Sequence, residues 1–276
     1  MVVAAVLLAA VLHAAWNGIA HAVTDRLVGF ALLGVAMTAS SALALAFVAA
    51  PARASWPFLA TAATLHVGYT GLLMLSYRIG EFSQVYPLAR GISPWLVAVV
   101  ATVVLGEALA WPHAAGVVVI SLGLVTLVFA GGAPGARQLP AVGAALATGV
   151  FIAAYTVVDG VGVRRSGSAL GYATWLFLLQ GPVLPLVALA VRRRALRAQT
   201  RGLWAVGLGA GALSVAAYAL VLWAQSVGAL ASVAALRESS IVWGAVIASV
   251  FFKEPFGRVR IAASAVVAVG VVLVAL

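Results

Sequence analysis

Ten apolar runs, each about 20 residues long and parted by very short breaks, constrain this chain more than anything else in it. They fall at approximately 2–20, 28–50, 57–78, 82–105, 112–130, 139–160, 169–191, 203–226, 229–252 and 258–276. Such a run matches the thickness of a bilayer's hydrocarbon core. Lipid offers no partner to a backbone N–H or C=O, so each run must be helical unless it lines a protein or water cavity. The breaks are as short as Thr24-Asp25-Arg26, and the longest leave no room for a soluble domain. The expectation is an all-α membrane protein of ten transmembrane helices.

Composition agrees. Hydrophobic residues make up 65% of the chain and charged residues 8%, with a mean hydropathy of +1.17, whereas soluble domains carry about 25% charge. The net charge of +10 invites a nucleic-acid partner, but most of the arginines sit in short clusters between apolar runs, where positive charge sets orientation in a membrane. The expected partners are a lipid bilayer and a small molecule, with no nucleic acid, in a monomer or homodimer. The chain has no cysteine, which excludes disulfides, thiolate metal sites and cysteine catalysis. It begins Met1-Val2-Val3 with no basic stretch, so the first run reads as a span and not as a cleaved signal peptide.

The chain also repeats. A shift of 147 residues lays Arg90 on Arg237, Leu105-Gly106-Glu107 on Phe252-Lys253-Glu254, and Gly123 on Gly270. Earlier in each half only Trp16-Asn17 and Tyr155-Thr156 pair. Five spans per half is an odd number, so the second half enters the membrane in the opposite sense. Two inverted five-helix repeats result, 1–133 and 134–276, an arrangement that places a transporter's site near the midplane between them.

With its 5+5 runs, its Gly106-Glu107 and Lys253-Glu254 turns and its glycine-rich closing helices, the chain resembles the EamA-type drug/metabolite transporters over essentially its whole length. The resemblance implies a ten-helix bundle that exchanges small metabolites by alternating access in the cell (inner) membrane, and no particular substrate. The run Ser83-Gln84-Val85-Tyr86-Pro87-Leu88-Ala89-Arg90-Gly91 is similar to proteins associated with phosphonate use.

The chemistry is carried by what is out of place in hydrocarbon. Arg90 and Arg237 each interrupt an apolar run, and an intramembrane arginine costs at least about 2.5 kcal/mol. Guanidinium offers a planar fork suited to carboxylate, phosphonate or phosphate. The inverted repeat brings the two toward one cavity, with Glu238 able to neutralise Arg90 or to bind an amino group. Tyr86, Trp243, His13, Asn17, His66 and Tyr155 are the expected lining, each with a plainer reading as packing or as interhelical glue. Asp159 and Glu238 are the candidates for carrying a proton. Pro87 and Pro94 should bend or open the fourth helix, and Gly181, Pro182 and Pro185 offer a matching flexible element in the seventh. Glu107 and Glu254, in turns before helices, read as structural, and Trp56, Trp111 and Trp204 as interfacial anchors.

No cofactor or metal is expected, since the four histidines lie far apart, and no catalytic motif argues for an enzyme. The expected function is a secondary active or exchange transporter of a small anionic or zwitterionic metabolite. The alternatives are a lipid or amphiphile flippase, or a drug or amino-acid exporter of the same fold. Orientation divides the indications. Arg26, Arg78, Arg137, the 192–201 cluster, Lys253, Arg258 and Arg260 lie on odd-numbered connections, against Arg53, Arg164 and Arg165 on even ones. Charge thus puts both termini outside, whereas the resemblance puts them inside.

Overall fold

The computed structural model describes residues 1–21, 23, 25–80, 82–128, 135–193, 196, 199–251 and 258–276. Glu81, expected to pair with Arg78, lies outside them, as do Arg194, Arg197 and the Phe252-Lys253-Glu254 turn. Every regular element among the described residues is helical: α1 (Val2–His21), α2 (Arg26–Ala44), α3 (Trp56–Ile79), α4 (Phe82–Val103), α5 (Trp111–Val128), α6 (Leu139–Arg164), α7 (Ala169–Gln180), α8 (Val183–Arg192), α9 (Trp204–Val227), α10 (Leu230–Arg237), α11 (Ser240–Phe251) and α12 (Arg258–Ala275). Seven segments are long and apolar enough to cross a membrane, α7 and α8 together forming one of them, and two shorter apolar stretches lie in α5 and α12. The chain is a multi-pass membrane protein.

Helix ends follow local chemistry. Asp25 caps α2, its carboxylate accepting from Val28 N at 3.3 Å, and Ser168 Oγ accepts from Gly171 N at 3.0 Å to start α7. Prolines stand in the first turns of α3 and α6, where the missing N–H has no intrahelical role. Trp56, Trp111 and Trp204 open α3, α5 and α9 as expected of interfacial tryptophans. The second helix stops at Ala44, six residues short of the expected end. Pro51 disfavours helix at Ala50, and Ala52 N instead donates to Ser166 O at 2.9 Å.

The prolines divide in their effect. The fourth helix runs through Pro87 and Pro94 without a break, although Pro94 leaves the Arg90 carbonyl without its usual donor. The seventh run is interrupted at Gly181-Pro182. The ninth is interrupted too, at Glu238-Ser239, where the hydrogen bonds tighten to three-residue spacing, Glu238 N to Ala235 O at 3.0 Å and Ser239 N to Leu236 O at 3.1 Å. A tight turn inside a helical run marks a hinge or a site.

Packing pairs the helices in a regular way. α3 lies on α6 and α1 on α9; α4 packs against α6, and α1 against α10 and α11; α2 meets α9, and α3 meets α7; α5 lies along α12. Lipid provides no hydrophobic drive between helices, so close approach depends on small residues. Gly207 and Gly211 of α9 face Leu32 and Ala36 of α2 with no room for a methyl group. Where α5 crosses α12, a Cβ on Gly270 would stand 2.6 Å from Ile120 Cγ1 and 2.9 Å from Gly116 O. Most threonine hydroxyls bond back to their own helix, as Thr148 does to Ala144 O at 2.7 Å, which satisfies them without a partner helix.

Candidate functional site

Four charged residues are buried among the described ones: Arg90 (3% exposed), Arg237 (3%), Glu238 (0%) and Asp159 (0%). They form two groups on either side of Tyr155.

The first group is built where α4 meets the break between α10 and α11. Arg90 Nε lies 2.7 Å from Glu238 Oε2, Arg90 Nη2 donates to Ser240 Oγ at 3.0 Å, and Arg237 Nε lies 3.6 Å from Glu238 Oε1. Tyr86, one turn before Arg90, puts its ring 5.9 Å from the Arg90 guanidinium carbon, a cation–π distance. One carboxylate thus serves two guanidiniums. The 2.7 Å approach is an ion contact by distance, but the N–H direction misses the oxygen, and both Glu238 oxygens keep unused lone pairs. Arg237 Nε and Nη2 have no hydrogen-bond acceptor among the described residues either. Buried donors of a charged group are costly to leave unmade.

The second group gathers around Asp159 of α6. Its Oδ2 meets His66 Nε2 of α3 at 2.9 Å and accepts from Tyr218 OH of α9 at 2.6 Å, while Oδ1 accepts from Tyr172 OH of α7 at 3.0 Å. Tyr218 OH also stands 3.3 Å from His66 Nε2. Tyr155 stacks on His66 with centroids 4.0 Å apart and packs beside Ala89, the neighbour of Arg90. Four helices therefore meet on one carboxylate, whose lone pairs are well used.

Beside the second group lies a cavity of about 120 Å³ whose walls include His13, Trp16, His66, Tyr69, Tyr155 and Tyr218. Tyr155, part of that wall, packs beside Ala89, the residue before Arg90. Of the sequence-derived candidates, His13, His66 and Tyr155 line the cavity; Arg90, Arg237, Glu238 and Tyr86 cluster where α4 meets the break between α10 and α11; and Asp159 holds His66 and Tyr218 of the lining. Asn17 spends its amide on its own helix, donating to His13 O at 2.7 Å, and Trp243 is 43% exposed on the outer surface of α11. No group of three or more His, Cys, Asp or Glu side chains able to share a metal occurs among the described residues.

Sequence reasoning missed Tyr172, Tyr218 and Arg164. The tyrosines were discoverable in principle, since a phenol inside a span needs a partner. Arg164, at the end of α6, bonds Glu107 Oε1 at 2.6 Å, Gln225 O at 2.9 Å and Gly228 O at 2.7 Å, while Glu107 Oε2 accepts from Leu230 N at 2.9 Å. Glu107 does act on a helix N-terminus, but on that of α10 across the bundle and not on the helix that follows it. This network ties the turn after α4 to α6, α9 and α10 at one end of the bundle. At the opposite end, Arg192 Nη2 and Asp25 Oδ2 are 3.1 Å apart.

No curated protein matches the chain, but 26 chains of solved structures do. One, described only as "Crystal structure of protein", shares 18% identity, aligns with a TM-score of 0.76, and covers 99% of this chain and 94% of its own. At that identity the likeness establishes the fold alone. The family model described as EamA-like transporter family matches residues 139–276, half of the sequence. The membrane-spanning helical architecture and the buried charges beside a central cavity accord with that match: the chain belongs to the EamA-like transporter family.

Proposed function

We propose that the chain is a secondary active or exchange transporter of a small anionic or zwitterionic metabolite bearing a carboxylate, phosphonate or phosphate. It works by alternating access in the cell (inner) membrane, through ten spans arranged as two inverted five-helix repeats. The observation that carries the reading is the pair Arg90 and Arg237, 147 residues apart, converging on the single buried carboxylate of Glu238. Two buried cations to one anion leave an excess that a ligand anion would neutralise. Arg237, with two unused donors, is the arm that binds it, while Arg90, held by Glu238 and Ser240, is the arm that positions.

The repeat reading is supported by the packing. With α7 and α8 counted as one span, and α10 and α11 as another, exchanging each span for the one five later turns α3 on α6 into α1 on α9, turns α2 on α9 into α3 on α7, and returns α5 on α12 to itself. Alternating access is supported by the end networks: the Arg164–Glu107 bonds close one end of the bundle, and the Asp25–Arg192 pair is the sole ion pair at the other end among the described residues.

The test is thermal stability of the purified protein with inorganic phosphate, methylphosphonate, succinate and alanine, because a ligand that binds only the folded state raises the melting temperature. A stabilising anion should lose affinity at least about tenfold in Arg237→Lys, which keeps the charge but not the fork. Unchanged affinity in folded Arg237→Lys and Arg90→Lys would leave the arginines as internal staples. A phospholipid that copurifies tightly and is not displaced by these anions would favour the flippase instead.

A further inference from the structure

Glu238, between two guanidiniums, is committed to balancing them, and it leaves one positive charge over. The remaining buried charge is Asp159, on the other side of Tyr155. With His66 neutral, the four buried charges Arg90, Arg237, Glu238 and Asp159 sum to zero. A monovalent anion entering beside Arg237 breaks that balance in a medium where uncompensated charge is costly. The histidine that touches Asp159 restores it: a proton taken up by the His66–Asp159 pair converts a neutral imidazole and a carboxylate into a pair with no net charge. His66 lines the cavity, so a proton in the cavity can reach the pair.

We infer that the His66–Asp159 pair, held by Tyr172 and Tyr218, is a proton site coupled to the anion site, and that the protein moves its anion together with a proton. The inference rests on the anion reading given above. The groups facing the pair are Tyr172 from α7, Tyr218 from α9, and Tyr155 and Tyr69 around the imidazole. Arg90 and Tyr86 on α4, and Arg237 and Glu238 at the break after α10, lie behind Tyr155, with His13 across the cavity. The tyrosines supply only hydroxyl donors, so none of them substitutes for the histidine as proton acceptor. Coupling of this kind is reciprocal: a proton on the pair favours the anion, and the anion favours the proton by the same factor.

Two measurements on the full-length protein test it. The first needs no ligand. Infrared difference spectra recorded across a pH titration should show protonation bands of the pair that are absent in both Asp159→Asn and His66→Gln. Spectra identical to wild type in either variant overturn the inference, and wild type is measured whether or not a variant folds. The second adds inorganic phosphate or methylphosphonate to weakly buffered protein containing a pH indicator. Binding should draw in about one proton per site in wild type and none in Asp159→Asn. In proteoliposomes an inward proton gradient should then drive accumulation by wild type, while Asp159→Asn retains exchange of anion for anion. Anion binding that depends on Arg237 but takes up no proton overturns the coupling and leaves the anion site standing. Failure of phosphate, methylphosphonate, succinate and alanine all to bind wild type overturns the anion reading and the coupling built on it, and leaves the first measurement to judge the proton site.

Discussion

Replacing Arg164 by glutamine removes a guanidinium that makes three bonds to two separate stretches of chain: Glu107, and the end of α9 at Gln225 with the turn at Gly228 that follows it. A hydrogen bond to a charged group contributes about 1.5–3 kcal/mol where water is excluded. The Arg164 side chain is 34% exposed and that of Glu107 17%, so solvent competes, and the ion pair is discounted to about 1 kcal/mol or less. Adding the two carbonyl contacts at a similar discount puts the whole network near 2 kcal/mol. If α4, α6, α9 and α10 are joined only while this end is shut, the loss falls on the closed state alone and shifts the closed-to-open ratio by roughly 30-fold. The assay is direct, because the chain contains no cysteine. Ser232→Cys puts a lone thiol on α10, two residues beyond Leu230, where the native Oγ is buried without a partner. Labelling by a membrane-impermeant maleimide added from the Arg164 side should accelerate about tenfold or more when Arg164→Gln is introduced. Equal labelling rates in the two folded backgrounds would refute the clamp as the closure of that end.

Three further outcomes follow from the geometry. Gly270→Val should lower the melting temperature, overpacking costing about 1–3 kcal/mol, because its Cβ meets Gly116 O at 2.9 Å; Gly244→Ala, with nothing within 4 Å, should be neutral or slightly stabilising, and equal melting points for the two would contradict the helix crossing. Ser240→Ala takes away the acceptor of Arg90 Nη2 and should destabilise by about 1–3 kcal/mol, read as a fall in thermal midpoint; no fall would mean the bond contributes nothing. A reporter fused after Leu276 should be active outside the cytoplasm if arginine placement governs orientation; activity confined to the cytoplasm would reverse the assignment.

What could be read from the sequence depended on distance along the chain. Helices announce themselves within 20 residues, and the described ones begin close to where the apolar runs begin. A lone arginine in hydrocarbon stands out wherever it is, which is why Arg90 and Arg237 were visible without a structure. The Asp159 network was legible only in fragments, as the separate candidates His66, Tyr155 and Asp159, because its bonds span 93, 59 and 13 residues. Glu107 was misplaced for the same reason: its partners are 57 and 123 residues away, while the helix dipole that seemed to explain it was next door. The turn at Glu238-Ser239 contains neither glycine nor proline. Its only signal was four polar residues in a row, Arg237-Glu238-Ser239-Ser240, which side-chain chemistry marked as a site but backbone propensity did not mark as a break.

The contact between α5 and α12 bears on how the protein is made. The glycines that meet there, Gly116 and Gly270, are about 150 residues apart, roughly 8–30 s of synthesis at typical elongation rates. Through that interval α5 waits in the bilayer with its glycine-notched face turned to lipid. Ile120 stands in that same face, against Gly270, so what guards the waiting helix is shape: only a helix with a matching notch brings its backbone against Gly116.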